Sequence, residues 1–156
     1  MTPRKFRTHH RVSFNHLDPF GHLSATNYLP LFLEHRWTAF REEMGYDYAT
    51  IASWPIVFYI RRTTQEFIIP IFADEELEIT SWVVSMGKMD STVRSEIRKK
   101  TSGKLAATCE FELVCMSKET RRPTPWLKDV TARLFEDAIL PATHHLEEQR
   151  LEATAC

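Results

Sequence analysis

The sequence is short of glycine and lacks the motifs that glycine-rich loops require. Only four of its 156 residues are glycine. Neither GxGxxG nor GxxxxGK[ST] occurs, so the usual dinucleotide and P-loop sites are excluded. The GxSxG elbow is missing too, which leaves a serine hydrolase of that kind unsupported. No apolar run approaches the roughly 20 residues needed to span a bilayer, and we expect no membrane span.

The number of cysteines and the net charge are also low. The three cysteines are odd in number and show no CxxC spacing, which predicts reduced thiols in a cytoplasmic protein. The net charge of −1 argues against a nucleic-acid partner, because phosphate neutralisation needs a concentrated basic surface. The start of the chain, MTPRKFRTHH, has no apolar segment typical of a secretory signal.

The histidines do not form a metal-binding pattern. Four of the seven lie in two adjacent pairs near the chain ends, His9-His10 and His144-His145, without an HExxH motif or cysteine partners. The sequence therefore predicts that the protein needs no metal.

A single domain is expected from the length and the composition. Hydrophobic residues make up 43% of the chain and charged residues 26%, an ordinary globular balance. We place one domain at residues 1–140 and a polar tail at residues 141–156, where apolar periodicity ends.

A long apolar helix is predicted at residues 27–44. Asn27 can cap it and Pro30 falls in its first turn, where a missing N–H costs little. Gly45 fits the C-terminal cap. Apolar residues recur at helical spacing and widen beyond one stripe, which indicates a helix that is largely enclosed. The predicted stripe consists of Leu29, Leu33, Trp37, Phe40 and Met44.

Strand-like segments surround this helix in the sequence. A first strand is predicted at residues 6–15, a helical turn at 47–53, and four further strands at 56–68, 75–86, 90–101 and 104–117. The last strand alternates between apolar and polar side chains, which is typical of an antiparallel sheet with one covered face. A closing helix is predicted at residues 125–139, with Thr124 as its cap. The pattern predicts an α+β domain in which one antiparallel sheet wraps around one buried helix.

The segment from His16 to Leu23, immediately before the long helix, carries the strongest chemical signal. A helix N-terminus presents unpaired N–H groups and the positive end of a dipole, which can stabilise a developing oxyanion. A carboxylate beside it, such as Asp18, can attack a carbonyl or activate water. One acid and one helix N-terminus are enough for a thioester, because the thiolate leaves readily.

These residues resemble a known family. Asp18-Pro19-Phe20-Gly21-His22, followed by Asn27-Tyr28-Leu29 and Glu34, is similar to the signature of the 4-hydroxybenzoyl-CoA thioesterase-like family. Later segments resemble it in the same order: FIIPIFAD at 67–74, STVRSEIRKKTSGK at 91–104 and TRRPTP at 120–125. The resemblance covers roughly residues 6–126 and implies a hotdog fold and acyl-CoA thioesterase activity.

The resemblance also implies roles for individual residues. Asp18 would be the catalytic carboxylate, and a backbone N–H near Ala25 would polarise the thioester carbonyl. Gly21, His22 and Asn27 would belong to the substrate and oxyanion region. Several family members carry Tyr or His at the position of Ala25. Any help from a polar side chain at that position is therefore absent here. A second departure is Ala73, where a glycine often precedes the aspartate.

Each candidate also has a structural interpretation. Asp18 before a proline can simply begin a turn, His22 can hold the loop backbone, and Asn27 can act as a helix cap. Glu34 can be solvated or paired, although a helical Glu is the catalytic residue of some other hotdog thioesterases. Arg61 and Arg62 either meet CoA phosphates or lie on the surface as ordinary exposed charges. Cys109 and Cys115 share one face of a strand and are interpreted as small core residues.

Three functions remain open at this point. The first is hydrolysis of an acyl-CoA or acyl-carrier-protein thioester, with CoA as part of the substrate and no separate cofactor. The second is an enoyl-thioester hydratase or dehydratase, in which His16 or His22 would act as the catalytic base. The third is an acyl-thioester-binding module without turnover. The resemblance implies a homodimer or homotetramer in each case.

Overall fold

A computed structural model describes residues 1–136 of the chain, and its elements follow the predicted order. The strands are β1 (Phe6–Arg11), β2 (Ile56–Phe67), β3 (Glu76–Met86), β4 (Asp90–Lys99) and β5 (Leu105–Ser117). The helices are α1 (Ala25–Thr38), α2 (Tyr48–Ser53) and α3 (Lys128–Arg133). A 3₁₀ turn covers Phe14–His16, and a π turn, Ala39–Glu43, follows α1.

The strands form one five-stranded antiparallel sheet in the order β1-β3-β4-β5-β2. The last four strands lie within two residues of their predicted bounds, because alternating side chains fix both the period and the ends. The first strand is shorter than predicted. It ends at Arg11, and the chain then turns through Val12 into the 3₁₀ segment instead of continuing to residue 15.

Helix α1 packs on the sheet with a face that differs from the predicted stripe. Leu33 and Trp37 are 38% and 36% exposed, and the buried side chains of α1 are Tyr28, Leu31, Phe32 and His35. Apolar residues occur almost all round this helix, so their period could not identify the buried side. The sheet covers one side of α1, and the side that carries Leu33 and Trp37 is exposed in the single chain.

The start of α1 also differs from the prediction. Ser24 is the N-cap, and its side chain accepts a hydrogen bond from the N–H of Thr26. Asn27 is thus the third helical residue rather than the cap, and Pro30 lies in the second turn rather than the first. At the other end Gly45 has φ +76° and stops the helical chain after the π turn, as predicted for a C-terminal glycine.

Helix α3 begins three residues later than predicted. Its N-cap position is Leu127, with no side-chain cap, instead of Thr124. Val130 is buried and Leu127 and Leu134 pack beside it, which confirms the apolar stripe of the closing helix as far as it is described. The rest of the predicted helix, residues 137–139, and the predicted polar tail from residue 141 lie outside the described residues.

Candidate active site

The loop before α1 is a tight turn closed at both ends by backbone hydrogen bonds. The N–H of Asp18 donates to the carbonyl of His22 at 2.7 Å, and the N–H of Gly21 donates to the carbonyl of Asp18 at 3.0 Å. Gly21 has φ +75°, in the left-handed region that glycine adopts without strain. The role of Gly21 in the structure is therefore to allow this turn, and it does not line the cleft described below.

The Asp18 carboxylate is held by the same turn. Its Oδ1 accepts backbone N–H groups from Phe20 at 2.9 Å and from His22 at 3.0 Å. Its Oδ2 accepts no hydrogen bond from any residue of the described chain, and the side chain is half-buried. One oxygen therefore fixes the orientation of the carboxylate, and the other is available to a ligand.

The first N–H of helix α1 is also available. Asn27 and the backbone of Ser24 bind the helix entry to the loop, since Asn27 Nδ2 donates to the carbonyl of His16 at 3.0 Å and the N–H of Ser24 donates to the same oxygen at 2.9 Å. Ala25 is exposed, and its N–H donates to no acceptor among residues 1–136. Such an N–H at the positive end of a helix is suited to an anionic or polarised oxygen.

Asp18, His22 and Ala25 line a common open cleft of about 360 Å³. The other wall comes from the end of β2 and the segment after it. The remaining lining residues are Leu23, Tyr28, Phe67, Ile68, Ile69 and Pro70. The fold thus brings three of the five predicted site residues to one cleft. Asn27 and Gly21 support its loop and do not line it.

His22 contributes to the site through its backbone and its ring. Its N–H holds Asp18, and its imidazole packs edge-on against Phe72, with ring centroids 4.9 Å apart. The ring makes no hydrogen bond with the described part of the chain. His22 therefore holds the loop through its main chain only, and its ring is available to a ligand.

Sequence reasoning missed Tyr28 as a residue of the cleft. Tyr28 is 4% exposed, and its ring packs edge-on against Phe67 with centroids 4.7 Å apart. Burial raises the pKa of the Tyr28 hydroxyl, and the negative charge of Asp18 raises it further. The signal was its spacing, because residues three apart in a helix share a face and Tyr28 stands one turn after Ala25.

Several other candidates lie away from the cleft. His16 does not line it, and the ring Nδ1 of His16 is buried without a described partner. Glu34 is exposed and forms no ion pair within residues 1–136. Arg61 and Arg62 are exposed and both pair with Glu112, at 3.2 Å in the case of Arg61, which confirms the surface interpretation.

The two inward cysteines are confirmed as core residues. Cys109 and Cys115 are both fully buried, and burial raises the pKa of the Cys109 thiol to about 12 and that of Cys115 above its ordinary value. Both side chains therefore pack in the core, as the sequence predicted. Among residues 1–136, no three His, Cys, Asp or Glu side chains are placed to hold a metal ion. No helix in the same range combines the length and apolar character of a membrane span.

Solved structures share this fold. A 1,4-dihydroxy-2-naphthoyl-CoA thioesterase from Synechocystis superposes with a TM-score of 0.76 at 15% identity, over 84% of this chain and 96% of that one. A DHNA-CoA thioesterase from Staphylococcus aureus gives 0.69 at 23% identity, over 78% of this chain and 80% of that one. Another Staphylococcus aureus protein, solved in complex with CoA, gives 0.76 at 14% identity, over 91% and 92%.

The sequence itself matches a family model. No curated protein matches the chain. The model of the thioesterase-like superfamily matches residues 12–134, which include the Asp18 loop, α1 and the whole sheet except β1. Together with the shared architecture, this match shows that the chain is a member of the thioesterase-like superfamily with the α+β hotdog fold.

Proposed function

We propose that the protein hydrolyses an acyl-CoA thioester to a free acid and a thiol, with Asp18 as its catalytic residue. The proposal rests on one observation: Asp18 and Ala25 line the same cleft, and Oδ2 of Asp18 and the N–H of Ala25 both lack a partner within residues 1–136. A negative group and a hydrogen-bond donor that face the same space can act on the carbon and the oxygen of one carbonyl group.

The chemistry begins with binding of the thioester carbonyl. Its oxygen accepts the N–H of Ala25, where the helix dipole stabilises the negative charge that develops in the transition state. Oδ2 of Asp18 then either attacks the carbonyl carbon or takes a proton from a water that attacks it. In the first route the C–S bond breaks to give a mixed anhydride and a thiolate, and water later cleaves the anhydride. Both routes form the same acid and thiol.

The cleft walls and the similar folds support the substrate class. Apolar side chains of Tyr28, Phe67 and Ile69 face the same space as Asp18, as expected for a site that holds an acyl group. Two of the solved structures with this fold are named as CoA thioesterases and a third contains CoA. These names favour CoA over a carrier protein, and we propose CoA thioesters as the first substrates to test.

A homodimer or homotetramer is part of the proposal. Within residues 1–136, β2 is an edge strand whose only partner is β5. Three of its apolar side chains, Val57, Tyr59 and Phe67, are 47%, 60% and 53% exposed. An open edge with exposed apolar groups favours association with another copy. Phe67 also lines the cleft, so association along this edge would add walls to the site. Light scattering on the purified chain measures this.

The decisive experiment compares thiol release from short, long and aromatic acyl-CoAs by the wild type and Asp18→Asn. The amide oxygen of the new side chain still accepts the two N–H groups of the turn, so the loop is retained while the charge is lost. We expect kcat to fall by about 10²–10⁴-fold, the contribution of a positioned acid or base. Retained turnover would remove Asp18 from its role.

A matched control is available at Asp74. It is an exposed loop aspartate with φ +60°, a conformation that asparagine also tolerates. Asp74→Asn should leave kcat unchanged. Melting temperatures of both variants within a degree or two of the wild type would confirm that the fold is intact.

The hydratase alternative rests on one observation, the presence of the His22 ring in the cleft. A base for water addition acts beside the acyl carbonyl, and His22 lines the same cleft as Asp18 and Ala25. Incubation with an enoyl-CoA distinguishes the two reactions, because addition of water removes the conjugated absorbance and releases no thiol. Tight binding without either product would favour the binding module instead.

A further inference from the structure

A second cavity lies under the other end of helix α1. Its walls come from the last turn of α1, the π turn, the sheet and α3, and they are almost entirely apolar. The space measures about 50 Å³, room for roughly three to five water-sized groups. It shares no lining residue with the cleft of Asp18. Arg36 lies about 16 Å along the helix from Ala25, at a rise of about 1.5 Å per residue.

Arg36 places a charge in this apolar space. Its guanidinium carbon lies 5.0 Å from the centre of the Phe111 ring, which is fully buried in the core. Within residues 1–136 the guanidinium makes no hydrogen bond and no ion pair, although most arginines with buried surface are paired. Burial lowers the pKa of Arg36 to about 10, so the side chain remains a cation at neutral pH.

The other polar lining residue, Ser81, ends a chain of buried hydrogen bonds. Ser81 Oγ lies 2.7 Å from Nε2 of His35, and Nδ1 of His35 lies 2.6 Å from Oγ1 of Thr8. Thr8 Oγ1 is also 2.8 Å from Nε2 of His10, which is the outer end of this row of hydrogen bonds. Burial lowers the pKa of His35 to about 4, so its imidazole is neutral and carries one proton.

The direction of this chain decides what Ser81 offers to the cavity. When His10 donates to Thr8, Thr8 donates to His35 and His35 donates to Ser81, the hydroxyl proton of Ser81 has no acceptor within the chain. That proton then points to a group in the cavity. The cavity in this state presents a cation and a hydroxyl donor, and a carboxylate can accept hydrogen bonds from both.

We propose that this cavity binds a small organic carboxylate, with its oxygens on Arg36 and Ser81 and its apolar part against Phe58 and Trp126. A guanidinium supplies two parallel N–H donors that match the two carboxylate oxygens. A ligand without a charge would leave Arg36 unpaired, and an inorganic anion would leave the apolar walls uncovered. The site is separate from the Asp18 cleft and does not depend on thioester hydrolysis.

Acetate and its uncharged counterpart acetamide, each with four heavy atoms, test this proposal on the full chain. The readout is the indole N–H resonance of Trp126, whose ring lines the cavity, identified with a Trp126→Phe sample. We expect a saturable shift with acetate at constant ionic strength and at least tenfold weaker binding of acetamide. Asp18→Asn should bind acetate like the wild type, which separates this result from the outcome for hydrolysis.

The matched variants are Arg36→Met and Arg41→Met. Arg41 is an exposed arginine of the π turn that pairs with Glu42 at 3.4 Å, so its loss should not change acetate binding. Arg36→Met should weaken it at least tenfold, and Arg36→Lys, which keeps a cation without the two-pronged geometry, should fall between. Equal shifts with both ligands, no saturation, or wild-type binding by Arg36→Met would each overturn the proposal.

A ligand-free measurement protects the test against a folding defect. An arginine held for a ligand destabilises the empty protein, because a charge without a partner is held in apolar surroundings. We therefore expect Arg36→Met to melt at the same or a higher temperature than the wild type. A clear fall in melting temperature would show that Arg36 supports the fold, and would count against the carboxylate site.

Discussion

The two ends of helix α1 hold polar groups in different ways. At the N-terminal end, the backbone of one tight turn fixes Asp18 beside the free N–H of Ala25 in an open cleft. At the C-terminal end, side chains from separate elements, among them Arg36 and Ser81, line a small apolar cavity. Each charge complements the helix dipole, with the carboxylate near the positive end and the guanidinium toward the negative end.

The difference shows which kind of site a sequence reveals. A site held by the backbone of one turn consists of consecutive residues, here 18–22, and can be recognised as a motif. A site held by side chains depends on partners such as Thr8 of β1 and Ser81 of β3, which are far apart in the chain and meet only after the sheet forms. Its residues carry no local pattern.

The largest effect expected from this comparison comes from removing the free N–H at the N-terminal end. Ala25→Pro deletes the N–H and keeps the helix, because proline is favoured at the first helical position. Ser24 has φ −64° and ψ 141°, the conformation that a residue before proline prefers. We expect kcat for a thioester substrate to fall about 10²–10³-fold, as for loss of one oxyanion donor.

Ala25→Ser is the matched control, since it changes the side chain and retains the N–H. Its kcat should remain close to that of the wild type. Circular dichroism should show the same helix content in both variants. If Ala25→Pro were as active as Ala25→Ser, the carbonyl would have to be polarised by another group, and the N-terminal site would need a different description.

The second prediction concerns the side-chain network at the other end. His35 is fully buried, and burial lowers its pKa to about 4 from an ordinary value of 6.5. The unfolded chain therefore binds a proton at a higher pH than the folded chain, and stability is lost as the pH falls from 6.5 to 4. A difference of that size corresponds to about 3 kcal/mol.

Denaturant unfolding between pH 7.5 and 4 measures this loss. His35→Gln keeps a side chain that can hydrogen-bond and does not titrate, so the pH dependence should shrink by most of that amount. His10 also has a pKa lowered mainly by burial and should contribute in the same direction. An unchanged slope in His35→Gln would mean that the buried network does not resist protonation.

The sheet was the part of the fold that the sequence predicted best. Alternation along β3 and β5 fixes which residues face the core, so these strands were placed nearly to the residue. The buried side of α1 was predicted wrongly because its apolar residues surround the helix. His35 lies on the buried side of α1 although it is polar. Its burial depends on hydrogen bonds with the hydroxyls of Thr8 and Ser81, which a helical period does not reveal.

The candidate sites show the same division. Asp18, His22 and Ala25 were predicted from one motif, and the structure brings them to one cleft, whereas their catalytic roles stay a prediction. Tyr28 was named only as part of the family signature, with no role in the site, although the charge of Asp18 helps to raise the pKa of its hydroxyl. Arg36 was not among the candidates, because its position over the Phe111 ring depends on how α1 packs on the sheet.

The smallest effect is expected at Glu34, which lies on the exposed side of the same helix. A helical glutamate is the catalytic acid that would compete with Asp18. Glu34 is exposed, forms no ion pair within residues 1–136 and lines neither cavity. Glu34→Gln should therefore change the unfolding free energy by no more than about 0.5 kcal/mol and leave kcat unaltered. A large loss of kcat would move the catalytic carboxylate from the loop to the helix, and would show that the exposed face of α1 meets substrate in the assembled protein.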